Sequence, residues 1–497
     1  MRDTDRKHYL ASATDKFVKG RISRRQFMST AGKLGLGASA LAFSAARPFG
    51  FINPAAAAPF EPSMDTMNWL KDVGKPFAGQ TIRLATESTP PSNAINSHLK
   101  KFFEEATGIK VEIEVLPLEQ VLQKLTLDVA SGLGTYDLYY IDQSWMASFS
   151  RDVVDPREKY ASSPDLAMPN YDFDDFLKPL VDGISMYEDI MVGVPYDIPI
   201  FITMYRKDIY DDMGLKVPTT MAEFLGNAQA IQKEMAPKVY GTTGQMKSGH
   251  YSLETDWTAW LWGHGGSIFR PDGTFAGNDD AGLEAMEYWI KLKENMPPGV
   301  TGWTWDGQHK SVNQGIVGQL LSWGEFFPSW DDPANSKVAG LMEAAIPPKA
   351  NSLRTVAETG YGEIPGVGHQ GGSSLAVSKY SKSPDAAWLF AQWATSADTQ
   401  VLITVLGGGT GPTRTSVYSD PRVIANQRSG PGTTRHLDVV RDTIANHMGS
   451  EPDLPEWAEL SNDTIPVELG RFWAGEYSSP KQAMDSIAEK VNKIVKA

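Results

Sequence analysis

The sequence of 497 residues contains no cysteine. The protein can therefore form no disulfide bond, no thiolate metal site and no cysteine nucleophile, and no cysteine is available to carry a lipid after a signal peptide. The motifs G-x-S-x-G and H-E-x-x-H are also absent, and the eight histidines are scattered along the chain. These absences argue against the common serine, cysteine and zinc hydrolases, and we expect neither a metal site nor a cofactor.

Clusters of basic residues are missing once the amino-terminal segment is set aside. The whole sequence has a formal net charge of −14. Residues 1–57 hold ten Lys or Arg and three Asp, so the remainder carries −21. An acidic chain without basic clusters argues against nucleic acid and anionic membranes as partners. The remaining 440 residues or so are enough for two domains.

The amino-terminal segment shows the features of an export signal in the expected order. Residues 23–28 read SRRQFM, a twin-arginine motif, residues 32–46 are small and apolar, and an alanine run precedes Pro59. The apolar run is too short and too weakly hydrophobic to span a bilayer alone. The pattern predicts a twin-arginine signal peptide over residues 1–57, cleaved after Ala57, then a loosely packed lead-in over residues 58–79 and a periplasmic location.

Strand and helix patterns alternate from residue 80 onward. Residues 81–85 and 111–115 alternate in polarity, residues 137–141 form a third strand-like run, and amphipathic helices separate the three. This order predicts an α/β fold with a parallel sheet and right-handed crossovers. Ligands of open parallel sheets bind beyond the carboxyl ends of the strands. The rule places three residues near a cleft, namely Glu87, Asp142 and Trp145.

The stretch over residues 371–396 reads GGSSLAVSKYSKSPDAAWLFAQWATS. Two glycines open a strand pattern, and Ser383 with Pro384 begins a helix whose alanines recur at helical spacing. The stretch resembles the segment GG-x-x-L-A-[IV]-S-K-x-S-K-x-P-E-A-A-W-x-F-x-x-W-x-T-S of the extracellular solute-binding proteins of ABC importers. Within that family it is similar to the sugar-type cluster, which includes maltose-binding protein.

The resemblance covers residues 80–497 and implies a two-lobe periplasmic-binding-protein fold with hinge crossings. Each lobe would be a mostly parallel sheet flanked by helices, with residues 80–197 and 371–408 in lobe I and residues 198–370 and 409–497 in lobe II. Motif matches at the crossings imply that Tyr196, Asp197, Gly371 and Arg414 line the ligand pocket. Pro199 stands where many relatives have a polar residue, which leaves the class of ligand open.

Eight of the 14 tryptophans lie between residues 257 and 330. Indole faces can stack on the C–H patches of sugars, whereas carboxylates and amides bind the hydroxyls. Trp289, Trp388 and Trp393 lie at helical spacing with apolar residues and are predicted to be core. Loops that match ligand-side loops of the family contribute the other predicted pocket residues, which are Trp262, Trp303, Trp305, Trp323 and Glu325.

These observations predict a monomeric, non-enzymatic periplasmic protein that captures a sugar, oligosaccharide or polyol for the membrane permease of an ABC importer. Trp305 and Trp323 would be stacking walls, and Asp142 and Asp197 would accept hydrogen bonds from hydroxyls. Two alternatives stay open. Paired carboxylates can make a carbohydrate-active hydrolase, and a non-sugar solute such as a metal ion, phosphate or a polyamine is a possible ligand of this fold.

Overall fold

The computed structural model describes residues 61–349, 366–407, 409 and 411–496. The predicted signal peptide and its cleavage site lie outside these residues. Among the described helices, none has both the length and the apolar character needed to cross a membrane. The described chain is a mixed α/β structure with helices flanking its sheets, which confirms the predicted fold class.

Thirteen strands are present in the part of the chain that the structure describes. They are β1 Thr81–Glu87, β2 Lys110–Leu116, β3 Leu138–Asp142, β4 Val153–Val154, β5 Met186–Tyr187, β6 Ile190–Met191, β7 Val194–Asp197, β8 Phe201–Arg206, β9 Gln319–Trp323, β10 Met342–Ala345, β11 Gly368–His369, β12 Ser373–Ser378 and β13 Met448–Gly449.

The helices of the described ranges are α1 Met64–Gly74, α2 Pro90–Ala94, α3 Lys100–Thr107, α4 Leu118–Ser131, α5 Met146–Phe149, α6 Pro156–Ser162, α7 Lys178–Leu180, α8 Lys207–Met213, α9 Met221–Met235, α10 Tyr251–Gly263, α11 Asp280–Lys293, α12 Trp305–Asn313, α13 Phe327–Trp330, α14 Pro384–Ala394, α15 Ala397–Val405, α16 Pro421–Ala425, α17 Leu437–Asn446, α18 Trp457–Glu459, α19 Ile465–Trp473 and α20 Pro480–Val495. Short 3₁₀ and π turns connect several of them.

The first sheet has six strands in the order β2-β1-β3-β12-β4, and β7 also pairs with β12. β1 pairs in parallel with β2 and β3, which confirms the predicted parallel opening. β12 is antiparallel to β3 and to β7, so β3 and β7 run in the same direction. The carboxyl ends of β1, β3 and β7 therefore meet the amino end of β12 along one edge.

The second sheet consists of β10, β8 and β9, and both of its pairings are antiparallel. The prediction of a mostly parallel sheet in each lobe is therefore wrong for this sheet. Apolar patterns locate strands but carry no information about pairing direction. The direction is decided by how the long connection between β8 and β9, which contains α8 to α12, returns to the sheet.

The core beside the first sheet contains the helix that the sequence places after residue 383. In α14, both Trp388 and Trp393 are buried, and Phe103 packs its ring 5.2 Å from Phe390 and 5.4 Å from Trp393. Trp289 in α11 is fully enclosed as well. The three tryptophans predicted to be core are confirmed as core.

The segment predicted to be a loosely packed lead-in instead contains α1, which packs against α3. Ser63 caps the helix by accepting from Thr66 N at 3.2 Å, and Leu70 is fully buried. Gly74 lies so close to Thr107 that an added Cβ would be 2.6 Å from the threonine Cβ. This contact between two helices distant in sequence could not be predicted from the local pattern.

Three crossing segments lie side by side between the two sheets. Ile198 forms a bridge with Gly411, and Ile200 forms one with Gln370. The amide of Gly371 donates to the carbonyl of Pro199 at 2.8 Å. The motifs around Asp197, Gly371 and Gly411 are thus neighbours in space, while the residue boundaries of the lobes stay predictions.

Candidate ligand site

Three carboxylates stand at the shared edge of the first sheet. Glu87 is the last residue of β1, Asp142 the last of β3 and Asp197 the last of β7. Ser373, the first residue of β12, is the register partner of both Asp142 and Asp197. The two aspartates therefore flank Ser373 on neighbouring strands, as the strand-end rule predicts.

A fourth carboxylate comes from the second sheet. Glu325 follows β9 in the tight turn Gly324–Phe326, and the amide of Gly324 donates to the carbonyl of Ile200 at 3.0 Å. Glu325 is close enough to Glu87 and Asp197 for their charges to interact. We call Glu87, Asp142, Asp197 and Glu325 the acidic cluster. It joins the strand ends of both sheets.

Hydroxyl groups hold part of this cluster in place. Ser373 Oγ donates to Asp197 Oδ1, and Tyr140 OH donates to Glu87 Oε2 at 3.1 Å. Asp142 Oδ1 accepts from the amide of Ser144 at 2.9 Å and from its hydroxyl at 2.6 Å. Glu87 and Asp197 are therefore held by hydroxyls on neighbouring strands, and Asp142 is held by the turn that follows it.

Burial raises the pKa of every member of the acidic cluster. It raises the pKa of Asp142 to about 8 and that of Asp197 to about 7, against the opposing hydrogen bonds from serine hydroxyls. The pKa values of Glu87 and Glu325 are raised as well, first by burial and then by repulsion from neighbouring carboxylates. The site thus favours the protonated acids or a bound cation over four uncompensated negative charges.

Two oxygens of the cluster have no partner in the described structure. Asp197 Oδ2 and Glu325 Oε2 are both buried and accept no hydrogen bond. The Thr89 hydroxyl lies near Asp197 but donates to Ser92 Oγ at 3.0 Å. A buried acceptor without a donor is costly, so these oxygens are positions where a ligand can supply hydrogen bonds.

Trp323 lies beside the cluster at the end of β9. Its ring packs 4.2 Å from Phe201 in an edge-on arrangement, and its outer edge faces Gly371. A Cβ on Gly371 would be 2.8 Å from two carbons of that ring. Glycine at 371 therefore allows the crossing segment to lie directly against the indole. Trp305 is half-buried, with its ring 4.8 Å from the His250 ring.

Three other predicted pocket tryptophans pack against the protein itself, and their role in ligand binding stays a prediction. Trp145 and Trp262 are almost completely enclosed, and one face of Trp262 stacks on His369 at 5.2 Å. The ring of Trp303 packs against Gly307 in the first turn of α12. The glycine and histidine that follow Trp262 in the sequence indicate a loop, but Trp262 lies in the last turn of the buried helix α10. Trp145 and Trp262 are buried, as is Trp323 at 4% exposure, so burial alone does not separate pocket from core.

Tyr196 and Arg414 are both buried, and their predicted place in the pocket stays a prediction. Tyr196 is buried beside Asp197, with its ring 6.2 Å from Tyr140 and its hydroxyl 3.3 Å from Ser92 Oγ. Arg414 is enclosed by aromatic rings, with its guanidinium 3.8 Å from the centre of Phe176. Its Nε donates to the carbonyl of Thr395 at 2.6 Å. Arg414 therefore connects backbone segments at Thr395 and Asp172.

Sequence reasoning missed Tyr140 and Ser373, which supply the hydroxyls that position Glu87 and Asp197. Both lie inside strand patterns, where alternating burial is the dominant signal and a hydroxyl is not distinctive. Their position at the sheet edge follows only from the register of β3 and β12.

Behind the cluster lies a buried polar network that the sequence did not indicate either. The side-chain oxygen or nitrogen atoms of Glu254, His369 and Glu451 that could bind a metal ion lie within 4.8 Å of one another. His369 Nε2 is 2.9 Å from Glu451 Oε1, which also accepts from Tyr251 OH, while Trp457 Nε1 donates to Glu451 Oε2 at 2.6 Å. Most donors and acceptors of this network are used within the protein, so it connects α10 with the crossing at residue 369.

Comparison with known proteins agrees with this architecture. The family model for bacterial extracellular solute-binding proteins matches residues 85–401. A probable amino-acid ABC transporter periplasmic-binding protein of Sinorhizobium fredii is 26% identical over 456 residues, which is 89% of this chain and 96% of that protein. A mannitol-binding protein of Pseudomonas aeruginosa is 26% identical over 414 residues, covering 76% of this chain and 83% of its own.

A solved structure gives the same result for the fold. The solute-binding protein of an ABC transporter from Agrobacterium radiobacter, in complex with ribitol, superposes with a TM-score of 0.74 at 26% identity. The match covers 84% of this chain and all of that one. The matched family model spans more than half of the sequence. The chain belongs to the bacterial extracellular solute-binding protein family.

Proposed function

We propose that the protein captures a polyol or a small sugar at the acidic cluster and delivers it to the permease of an ABC importer. The observation that carries the proposal is the meeting of four carboxylates with Trp323 at the strand ends of both sheets. Relatives that bind mannitol and ribitol support a polyhydroxylated ligand.

The cluster suits hydroxyl groups because carboxylate oxygens accept hydrogen bonds strongly. Asp197 Oδ2 and Glu325 Oε2 are the unused acceptors, and they belong to different sheets. One ligand that bonds both would connect the two halves of the cleft. We assign the contacts with the carbon skeleton to the rings of Trp323 and Trp305. The crossings beside Gly371 would then act as the hinge for closure.

The relative from Sinorhizobium fredii is described as an amino-acid-binding protein, which makes an amino acid the second candidate. The carboxylate of an amino acid needs a cationic or N–H partner. None of the salt bridges among the described residues involves the acidic cluster, so no Lys or Arg is paired with its carboxyl groups. The electrostatics therefore favour a ligand without a negative charge.

Calorimetry of the purified mature protein against mannitol, ribitol, erythritol, maltose and a set of amino acids tests the proposal. We expect saturable binding of a polyol or sugar, a smaller radius of gyration on saturation, and complete recovery of the unchanged ligand. Binding of amino acids alone would contradict the proposed ligand class. Release of a cleaved or oxidised product would instead indicate an enzyme.

We further propose export by the twin-arginine pathway, on the basis of Arg24 and Arg25 within SRRQFM. Changing both to lysine keeps the charge but removes the paired guanidinium groups. The variant is expected to accumulate as unprocessed precursor inside the cell, measured by fractionation and immunoblotting. Changing Arg21 and Arg47 to lysine gives a matched control that should be exported normally. Equal processing of both variants would contradict this route.

A further inference from the structure

We propose that the ligand of the acidic cluster carries a positive charge, and that its class is an aminated polyol or amino sugar whose ammonium group lies between Asp197 and Glu325. This inference rests on the proposed function and specifies the ligand further. Recognition of hydroxyl groups would explain the acceptor oxygens of the cluster. It would not explain why four carboxyl groups lie together without an ion pair among the described residues.

The first argument is the imbalance of charge at the site. Asp142, Asp197 and Glu325 are at most 8% exposed, and Glu87 is half-buried beside them. None of these carboxylates takes part in any ion pair formed by the described residues. Buried carboxylates are normally paired, protonated or bound to a cation. A neutral polyol would leave these acids protonated, whereas a cationic ligand would allow them to ionise and would pair with their charge.

The second argument is the position of the unpaired oxygens. Asp197 Oδ2 and Glu325 Oε2 are buried without partners, and the charges of these two residues interact. A protonated amine donates up to three hydrogen bonds from one atom and neutralises charge at the same place. A hydroxyl donates only one hydrogen bond. Burial is the main cause that raises the pKa of Glu325, and the charges of Asp197 and Asp306 raise it further, so Asp306 would add to the attraction for a cation.

The third argument concerns the surroundings of the ammonium group. Trp323 lies against Gly371 at the same edge, and Trp305 adjoins Asp306 in sequence. Aromatic rings tolerate and attract cationic groups as well as apolar C–H surfaces. His250, which packs on Trp305, does not compete with the ligand as a cation, since burial lowers the pKa of His250 to about 4. The remaining hydroxyls of the ligand would be left to Asp142 and Glu87.

Matched ligand pairs provide the test. The mature protein is titrated calorimetrically with glucitol and 1-amino-1-deoxyglucitol, ribitol and 1-amino-1-deoxyribitol, and glucose and glucosamine. Each pair differs by one hydroxyl replaced with an ammonium group. We expect at least one amine to bind tenfold or more tightly than its neutral partner. Calcium chloride is titrated alone in parallel, because carboxylates also bind divalent cations.

Substitutions of Asp197 and Glu325 test whether the preference for an amine over a polyol depends on the unpaired oxygens of these two residues. In Glu325→Gln and Asp197→Asn, the ratio of amine to polyol affinity is expected to fall towards one. In Asp256→Asn, which alters a buried carboxylate outside the cluster, the ratio should be unchanged. Retention of the wild-type ratio in both cluster variants would overturn the assignment of the ammonium position.

The outcomes also separate this inference from the proposed function. Equal or tighter binding of the neutral polyols overturns the cationic ligand and leaves polyol capture supported. Micromolar binding of calcium without any amine overturns the aminated ligand in favour of a metal ion. Binding of neither member of any pair overturns the aminated ligand, and the proposed function is then decided by the titrations with mannitol, erythritol and maltose.

Discussion

Replacing Asp197 with asparagine is expected to weaken ligand binding about 10- to 150-fold, which corresponds to the 1.5–3 kcal/mol that a hydrogen bond to a charged group contributes. The side chain keeps its shape and can still accept from Ser373 Oγ through its amide oxygen. What changes is Oδ2, the buried and unpaired oxygen that we assign to the ligand. Calorimetric dissociation constants at fixed pH and ionic strength measure the effect.

Asp256→Asn is the matched control for this prediction. Asp256 is 1% exposed and its pKa is raised by burial, as for Asp197, but it lies in α10 and accepts from the amide of Gln245. Its substitution should leave affinity within about twofold of wild type, since neutral changes outside a site have small effects. Equal affinity in wild type and Asp197→Asn would remove Asp197 from the ligand site. A comparable loss in both variants would indicate a general structural effect.

Asp256→Asn is also expected to change the pH dependence of stability. Burial raises the pKa of Asp256 to about 8, whereas the unfolded value is about 3.9. Between these values the folded protein holds a proton that the unfolded chain releases. The contribution of Asp256 to the free energy of unfolding therefore falls as pH rises, by at most about 1.4 kcal/mol per pH unit. Above pH 8 this loss is complete.

Urea unfolding of the ligand-free protein at pH 5, 6.5 and 8 measures this slope. The stability advantage of Asp256→Asn over wild type should grow by about 2–4 kcal/mol from pH 5 to pH 8, because asparagine does not titrate. Thr243→Val, a neighbouring change without a titrating group, should show no such growth. The raised pKa of Asp256 would be contradicted if the free energies of unfolding of Asp256→Asn and wild type differed by the same amount at all three pH values.

The acidic residues at the strand ends of the first sheet show which features of the site a local sequence pattern can predict. Alternating polarity located β1 and β2, and an apolar run located β3, so the polar residue at the end of a strand could be named from the sequence. Glu87 and Asp142 were found in this way, and the family motif added Asp197. Parallel pairing of β1 with β3 then brings two of these ends to one edge. The predicted positions of these acidic residues at the strand ends are confirmed, while their role in ligand binding stays a prediction.

The errors have a common physical origin. Trp262 and Arg414 have polar or glycine neighbours in sequence, which indicate loops, yet one ends a buried helix and the other is enclosed by Tyr171 and Phe176. Burial depends on what packs on a residue from elsewhere in the chain. The same holds for α1, whose packing surface is α3 and the core of the first sheet.

The sequence by itself determined the α/β character, the strand-end positions of Glu87 and Asp142 and the family to which the chain belongs, because these depend on local periodicity and on contiguous motifs. Only the tertiary structure decided the antiparallel second sheet and the pairing of Ser373 with both Asp142 and Asp197. It also decided that Glu325 joins the cluster without a cationic partner. Strand register and desolvation arise from contacts between segments more than a hundred residues apart, and no local pattern records them.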